Sequence, residues 1–368
     1  MVEMKKLTDI CDIQYGYAFD SKCFTDDSSY PALVRIRDVK RGYSETFYSG
    51  EYPKEYILSA GDLLVGMDGE FNIARWKSDD ALLNQRVCKL SAKNGTNEEY
   101  LRFAMSKALK AIELRTAFVT VKHLSAKELN KLELYVPDIS EQNRIANTLK
   151  QLEIIIKHRR QELQKLDDLI KARFVEMFGM PGTDTKGWGL QPLGKCCEIN
   201  PKKAADKNLI PGLKISFVPM PAVSENGDIN VSEIKSFDAV KTGFTYFAEN
   251  DVLFAKITPC MENGKGAIAI GLCNGIGFGS TEFHVLRPIA EKSNPYWLYS
   301  LTSFDLFRKD AAANMTGSAG QRRVPATFLD KYKVALPPIN IQNDFETFCL
   351  QIDKSKFNDT TTKTNFLV

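Results

Sequence analysis

LSAKELNKLELYVPDISEQN, residues 124–143, and VPATFLDKYKVALPPINIQN, residues 324–343, read as one segment written twice. At a constant offset of 200 they agree at seven of twenty positions: Ala126/Ala326, Leu129/Leu329, Lys131/Lys331, Pro137/Pro337, Ile139/Ile339, Gln142/Gln342 and Asn143/Asn343. Average residue usage gives roughly one such agreement. Working outward, LTDICDI from Leu7 matches LGKCCEI from Leu193 at an offset of 186, and GDLLVG (61–66) matches NDVLFA (250–255) between them. The offset grows along the copies, so the second carries about fourteen extra residues in its loops. A period this long marks a duplicated domain and not a solenoid repeat.

Both copies follow one plan. Segments such as YPALVRIRDV (30–39) and LKISFVPM (213–220) alternate apolar and polar residues and are rich in β-branched types, which predicts strands. A buried strand follows (DLLVGM; DVLFAKI), then a glycine-punctuated hairpin region. Next come predicted helices over 98–114 and 294–312, a polar loop, and a closing strand, LELYVP or YKVALPP. The expected fold is mixed α/β (α+β), each copy a strongly twisted sheet with helices on one side.

From Ser140 the chain reads SEQNRIANTLKQLEIIIKHRRQELQKLDDLIKARFVEMFG, with Ser140 a candidate N-cap and Gly179 a candidate stop before Pro181. Apolar residues recur at 4–3 spacing at Ile145, Leu149, Leu152, Ile156, Leu163, Leu166, Ile170 and Met177, interrupted at Arg159. That is a coiled-coil seam, and it calls for a partner helix. At ~1.5 Å per residue such a helix spans roughly 58 Å. The expected organisation is a first domain over 1–139, a long spacer helix over 140–180, a second domain over 181–338 and a second helix from 339. That last helix is expected to be short. Phe345, Cys349 and Ile352 continue the seam, Lys356 interrupts it, and NDTTTKTNFLV reads as a polar tail.

Composition narrows the classes. No apolar run reaches membrane-spanning length, and the first residues lack the apolar core of a secretory signal. Eight cysteines without CxxC spacing read as free thiols of a cytoplasmic protein and offer no metal site. The net charge of +3 means that any basic footprint is local.

The residues PDISEQNRIANTL, LDDLIKARFVEMFG, LLVGMDGEFNIARW, LLNQRVCKL, PCMENGKGAIAI, GIGFGSTEFHVLRP and GSAGQRRVP, taken with the duplication, resemble the specificity subunits of type I restriction-modification systems. The resemblance covers nearly the whole chain. It implies two target-recognition domains, each reading half of a bipartite double-stranded DNA sequence, with paired helices as a ruler. It further implies docking of two methyltransferase subunits and assembly with motor-nuclease subunits. S-adenosylmethionine, ATP and magnesium would serve those partners, with no cofactor in this chain. The shortened second helix departs from the family's pattern and makes self-association through it a further expectation.

No catalytic constellation is legible. The three histidines, His123, His158 and His284, form no pair in the sequence. Gly264-Lys265 lacks the rest of a phosphate loop, and GIGFGS (275–280) lacks a strand–turn–helix context. Reading DNA needs paired donors and acceptors on loops: Arg or Lys for guanine, Asn or Gln for adenine. The first copy offers Arg75, Asn84, Gln85, Arg86, Arg115, Thr120 and Lys122. The second offers Thr258, Asn263, Lys265, Ser280, Thr281, Ser318, Gln321, Arg322 and Arg323. The alternative is a coiled-coil structural or interaction protein whose duplicated domains bind protein or RNA. Steep salt dependence of DNA binding would separate the two.

Overall fold

The computed structural model describes residues 3–115, 123–203, 208–318 and 320–364, with side chains to 356. The chain divides into two units, Met1–Arg159 and Arg160–Val368.

The first unit opens with β1 (Glu3–Lys6), α1 (Leu7–Ile10), β2 (Cys11–Tyr15), β3 (Phe24–Thr25) and β4 (Ala32–Val34). It continues with α2 (Ile36–Arg41), β5 (Phe47–Tyr48), β6 (Ile57–Leu58), β7 (Leu63–Gly66) and β8 (Asn72–Arg75). β9 (Ala81–Leu83), β10 (Val87–Ala92), α3 (Glu98–Arg115), α4 (Ala126–Asn130) and β11 (Glu133–Val136) complete it. α5 (Ile139–Phe178) then runs unbroken for 40 residues, and the division between the units falls inside it.

The second unit repeats the order: β12 (Leu190–Pro192), β13 (Cys197–Ile199), β14 (Lys214–Val218), β15 (Ile234–Ser236), α6 (Phe237–Val240) and β16 (Thr245–Ala248). β17 (Val252–Ala255), β18 (Gly266–Ile268), β19 (Ile276–Gly279) and β20 (Phe283–Pro288) follow. α7 (Pro295–Ser303), α8 (Asp305–Ala313), α9 (Ala326–Lys331), β21 (Lys333–Ala335) and α10 (Ile339–Thr364) end it.

Among the described residues each unit holds three sheets where one was expected. An antiparallel sheet ordered β2-β10-β7-β8, or β13-β20-β17-β18, forms the centre. Beside it lies a mixed sheet, β3-β5-β4-β9-β6 or β15-β14-β19-β16, in which only β4–β9 and β14–β19 pair in parallel. The ends of each copy pair as β1-β11 or β12-β21. The strands are too short to make one wide sheet, so the chain changes sheet within three residues, Asn84–Arg86 in the first unit. Arg86 takes a left-handed conformation, φ 75°, to make that turn. α3 packs on the central sheet through Leu101, Met105 and Leu109, at the i, i+4 spacing of one helix face.

Three local expectations are corrected. The segment Ile36–Arg41 is a helix, not a strand: the Asp38 carboxylate accepts from the Arg35 N–H at 2.9 Å and starts it, and Gly42 at φ 82° stops it. The single helix expected over 294–312 breaks at Phe304, whose extended backbone turns its ring to 5.0 Å from Phe174. The N-cap of α5 is Asp138, which accepts from the Glu141 N–H at 3.0 Å, and Ser140 lies inside the helix.

α10 continues through the threonine-rich segment to Thr364, 26 residues in all, so that segment is helical up to there. Threonine costs only tenths of a kcal/mol per residue once a helix is nucleated. Within the second unit Phe345 packs on Phe174 and Phe178, with ring centroids 5.6 and 5.3 Å apart. Lys356, which interrupts the apolar seam, reaches Asp167 at 2.7 Å and Asp353 at 3.2 Å. A polar tie therefore stands where the seam called for an apolar side chain. Leu163, Leu166, Ile170 and Met177 are half-buried, whereas Phe174 and Phe178, absent from the expected seam, are buried. In the first unit Ile145 and Leu149 are half-buried, but Leu152 and Ile156 are 48% and 50% exposed.

Candidate nucleic-acid interface

Strand register defines a common site in the two units. Gly66 opposes Val87 on the β7–β10 ladder, and Ala255 opposes Phe283 on β17–β20. The next residue outward on each strand makes the same backbone bond: Met67 N–H donates to Arg86 O, and Lys256 N–H to Glu282 O, both at 2.9 Å. A third segment then crosses both. Leu124 N–H donates to Met67 O at 2.7 Å, and Val324 N–H to Lys256 O at 2.9 Å. Isolated bridges Asp68↔His123 and Ile257↔Arg323 continue the crossing. Three segments are thus knotted at one end of each central sheet, and these two backbone bonds and the bridge recur in both copies.

The side chains on this knot are not the same. In the first unit Asp68 pairs with His123 and lies 3.5 Å from the Arg86 guanidinium, which also approaches His123 Nδ1 at 3.2 Å. In the second unit Glu282 occupies the place of Arg86 and accepts two bonds from Arg323, at 2.9 and 2.8 Å. Ile257 stands where the first unit has Asp68, and Arg323 where it has His123. The acid has moved from one strand to its neighbour. Paired with Arg323, the Glu282 carboxyl is held below the usual carboxylate range. Burial lowers the Lys256 ammonium, Glu282 opposes that shift, and Arg323 adds to it.

The register places most of the sequence candidates around this knot. Asn84, Gln85 and Arg86 are the counterparts of Ser280, Thr281 and Glu282. Gln85 and Thr281 are exposed. Asn84 is only 7% exposed, and its Oδ1 has no hydrogen-bond partner among the described residues. Ser280 accepts from the Glu282 N–H at 3.2 Å. Thr258 N–H donates to Arg322 O at 3.0 Å, and its hydroxyl donates to Glu262 at 2.8 Å.

Thr316 and Arg323 exchange backbone bonds of 2.9 and 2.8 Å, which closes a hairpin that exposes Ser318, Gln321 and Arg322. Asn263 is exposed on the turn after β17, and Lys265 points back with its Nζ 3.5 Å from Met220 O. Arg115 ends α3 exposed. Thr120 and Lys122 lie outside the described residues. Arg75 stands apart: its fork is taken by Glu99 at 2.6 Å, Glu98 at 2.8 Å and Gly61 O at 2.7 Å, which ties β8 to the start of α3.

Sequence reading missed Asp68, His123, Lys256, Glu282 and His284. His123 and Arg323 sit at the offset of 200 already visible in the closing segments, so that signal was available. Asp68 and Glu282 are not counterparts, and only the register shows that they face the same cluster. His284 is buried, with its Nε2 2.8 Å from Val324 O and its Nδ1 3.0 Å from Asn200 Nδ2. This arrangement offers exposed amide, hydroxyl and guanidinium groups beside fixed ion pairs, which suits binding to polar base edges and phosphates. Among the described residues no group of three or more metal-binding side chains is placed to hold an ion, and no helix is long and apolar enough to cross a membrane.

Comparison with known proteins bears on what such a site serves. Residues 1–166 and 185–364 each match the family described as "Type I restriction modification DNA specificity domain". The specificity subunit of the type I restriction enzyme EcoAI of Escherichia coli is 43% identical over 157 residues, which is 42% of this chain and 26% of that protein. That of EcoBI, also from Escherichia coli, is 39% identical over 163 residues, 44% of this chain and 34% of that protein. The chain spans about a quarter to a third of the length of these curated relatives. In fold, it is similar to the crystal structure of a type I restriction-modification S subunit from M. genitalium. That match has a TM-score of 0.53 at 12% identity and covers 99% of this chain and 92% of the other. A second solved structure, titled for complex assembly and conformational transition of the type I R-M system, matches with a TM-score of 0.50 at 16% identity, over 99% and 93%.

Proposed function

Because the chain belongs to the family of type I restriction-modification DNA specificity domains, whose pattern it fills twice, we propose that it is the DNA-reading subunit of such a system. Each unit reads one half of a bipartite target through the loops on its knot. α5 and α10 set the number of unspecified bases between the halves and dock methyltransferase subunits. The chain itself carries no catalytic centre and works in the cytoplasm. S-adenosylmethionine, ATP and magnesium serve the methyltransferase and motor-nuclease partners.

One observation carries this reading: two backbone bonds and a bridge of the knot recur in both copies, while the side chains on it differ. A frame kept constant with its polar surface changed is what reading two different half-sites requires. The relatives named as specificity subunits support the same role. The alternative of a structural protein binding protein or RNA has no comparable support.

Methylome sequencing of a host expressing this chain with its methyltransferase is the test. The expected result is one bipartite methylated motif. Inserting seven residues into α5 should change the spacer and leave both half-sites as they were. Absence of any motif, with the complex assembled, overturns the proposal.

A further inference from the structure

The ion pairs of the knot occupy the arginines that a DNA-reading protein would be expected to present. All three guanidinium nitrogens of Arg323 are engaged: Nε and Nη2 bond Glu282 at 2.9 and 2.8 Å, and Nη1 donates to Gln321 O at 3.0 Å. The last bond reaches into the hairpin that carries Gln321 and Arg322. Arg323 therefore ties the tip of that hairpin to the start of β20. In the first unit Asp68 pairs with His123 and meets Arg86 at a single point, Nε to Oδ2 at 3.5 Å. A carboxylate at a polyanion-binding surface weakens binding unless it serves something else. Here Glu282 holds the arginine of its own knot. Charge-assisted, two-point bonds of this kind fix direction as well as distance.

We propose that Glu282 is a specificity-determining positioning residue: it withholds Arg323 from the DNA backbone and uses it to orient the neighbouring reading hairpin. This rests on the DNA-reading role above. The exposed side chains Arg322, Gln321 and Gln85 are left to make the contacts.

The test uses the full chain and a 40-base-pair duplex of random sequence, titrated with salt. Each phosphate contact adds about 0.9 to the slope of log affinity against log salt. Glu282→Gln should free Arg323, steepen the slope by about one contact and tighten binding at low salt by about threefold. In cells with the methyltransferase, it should relax methylation at one half-site only. The double variant Glu282→Gln/Arg323→Gln should bind the random duplex with the wild-type slope, because a mutually satisfied pair has been replaced by a neutral one. Arg322→Gln should lose about one contact's worth of slope.

A double variant that loses a contact's worth of slope would show that Arg323 touches phosphate, and would overturn the proposal. So would a Glu282→Gln variant whose slope is unchanged, or whose binding simply weakens as it would if the pair only held the fold together. Wild-type chain that shows no salt-dependent binding at all strikes instead at the DNA-reading role.

Discussion

The side-chain oxygen of Gln142 accepts a hydrogen bond from the backbone N–H of Asn97 at 2.9 Å, and Gln342 does the same for Asn294 at 2.9 Å. Each glutamine amide also donates 2.8 Å to the carbonyl of Pro137 or Pro337. A third bond goes to Gly95 O at 3.2 Å, or to Lys292 O at 2.9 Å. The adjoining asparagines, Asn143 and Asn343, accept from the Asn97 and Asn294 side chains. The QN pair of the repeat is thus a latch, its glutamine buried and its asparagine exposed, joining the start of α5 or α10 to the start of α3 or α7.

Replacing Gln342 with Leu strands one buried N–H and two carbonyls. At about 1–3 kcal/mol for each buried group left unsatisfied, the expected loss is about 3 kcal/mol, some of it recovered by relaxation. The urea midpoint of the variant should fall accordingly, with faster hydrogen exchange at Asn294–Leu298. A change within about 0.5 kcal/mol, as at an ordinary surface site, would mean that the latch contributes nothing.

His284 should make the second unit sensitive to acid. Burial pushes its imidazole below the ordinary 6.5, with the Lys256 charge adding to that shift; the bond to Val324 O and Glu282 oppose it. Below that value the unfolded chain binds a proton that the folded chain does not, so stability falls as pH drops through 6.5 toward the folded value. Above it, this group contributes no pH dependence. Thermal melts at about pH 7.5 and about pH 5.5 should show a smaller drop for His284→Gln than for wild type. Equal drops would remove His284 as the source.

Thiol reactivity should divide the eight cysteines. Burial pushes Cys88 up to about 12, Cys11 and Cys349 to about 12 and Cys196 to about 11, and it raises Cys197 as well. Cys23, Cys260 and Cys273 are only partly buried. Alkylation of native protein mapped by mass spectrometry should modify those three first and the other five only on unfolding. Rapid modification of Cys88 or Cys349 would contradict the packing described.

The outer seam of α5 should matter for partners more than for folding. Leu152 and Ile156 are about half exposed, so Leu152→Asp with Ile156→Asp should change stability by about 1 kcal/mol or less. Sedimentation with the methyltransferase subunit should show loss of the complex. Intact assembly would mean that the partner docks elsewhere.

Much of this architecture was legible in the sequence because duplication makes a chain its own comparison. The recurrence of Pro137-x-Ile139-x-x-Gln142-Asn143 marked the duplication, and the 4–3 spacing of apolar residues marked α5. Finer features were not legible. Nothing local in LTSFDLF distinguishes a broken helix from a continuous one, because the break serves the contact of Phe304 with Phe174, 130 residues away in the chain. Composition assigned Arg75 and Arg323 to the same candidate group. The fold gave the first to Glu98 and Glu99 and the second to Glu282.

Periodicity and the repeat are properties of neighbours in the chain, so the sequence alone determined the two copies and the long helix α5. Strand register brings residues 86, 123 and 68 together, and 282, 323 and 257, and register follows from packing across the whole sheet. Only the tertiary structure, therefore, could decide which charged residues are tied to one another and which remain free to meet a ligand.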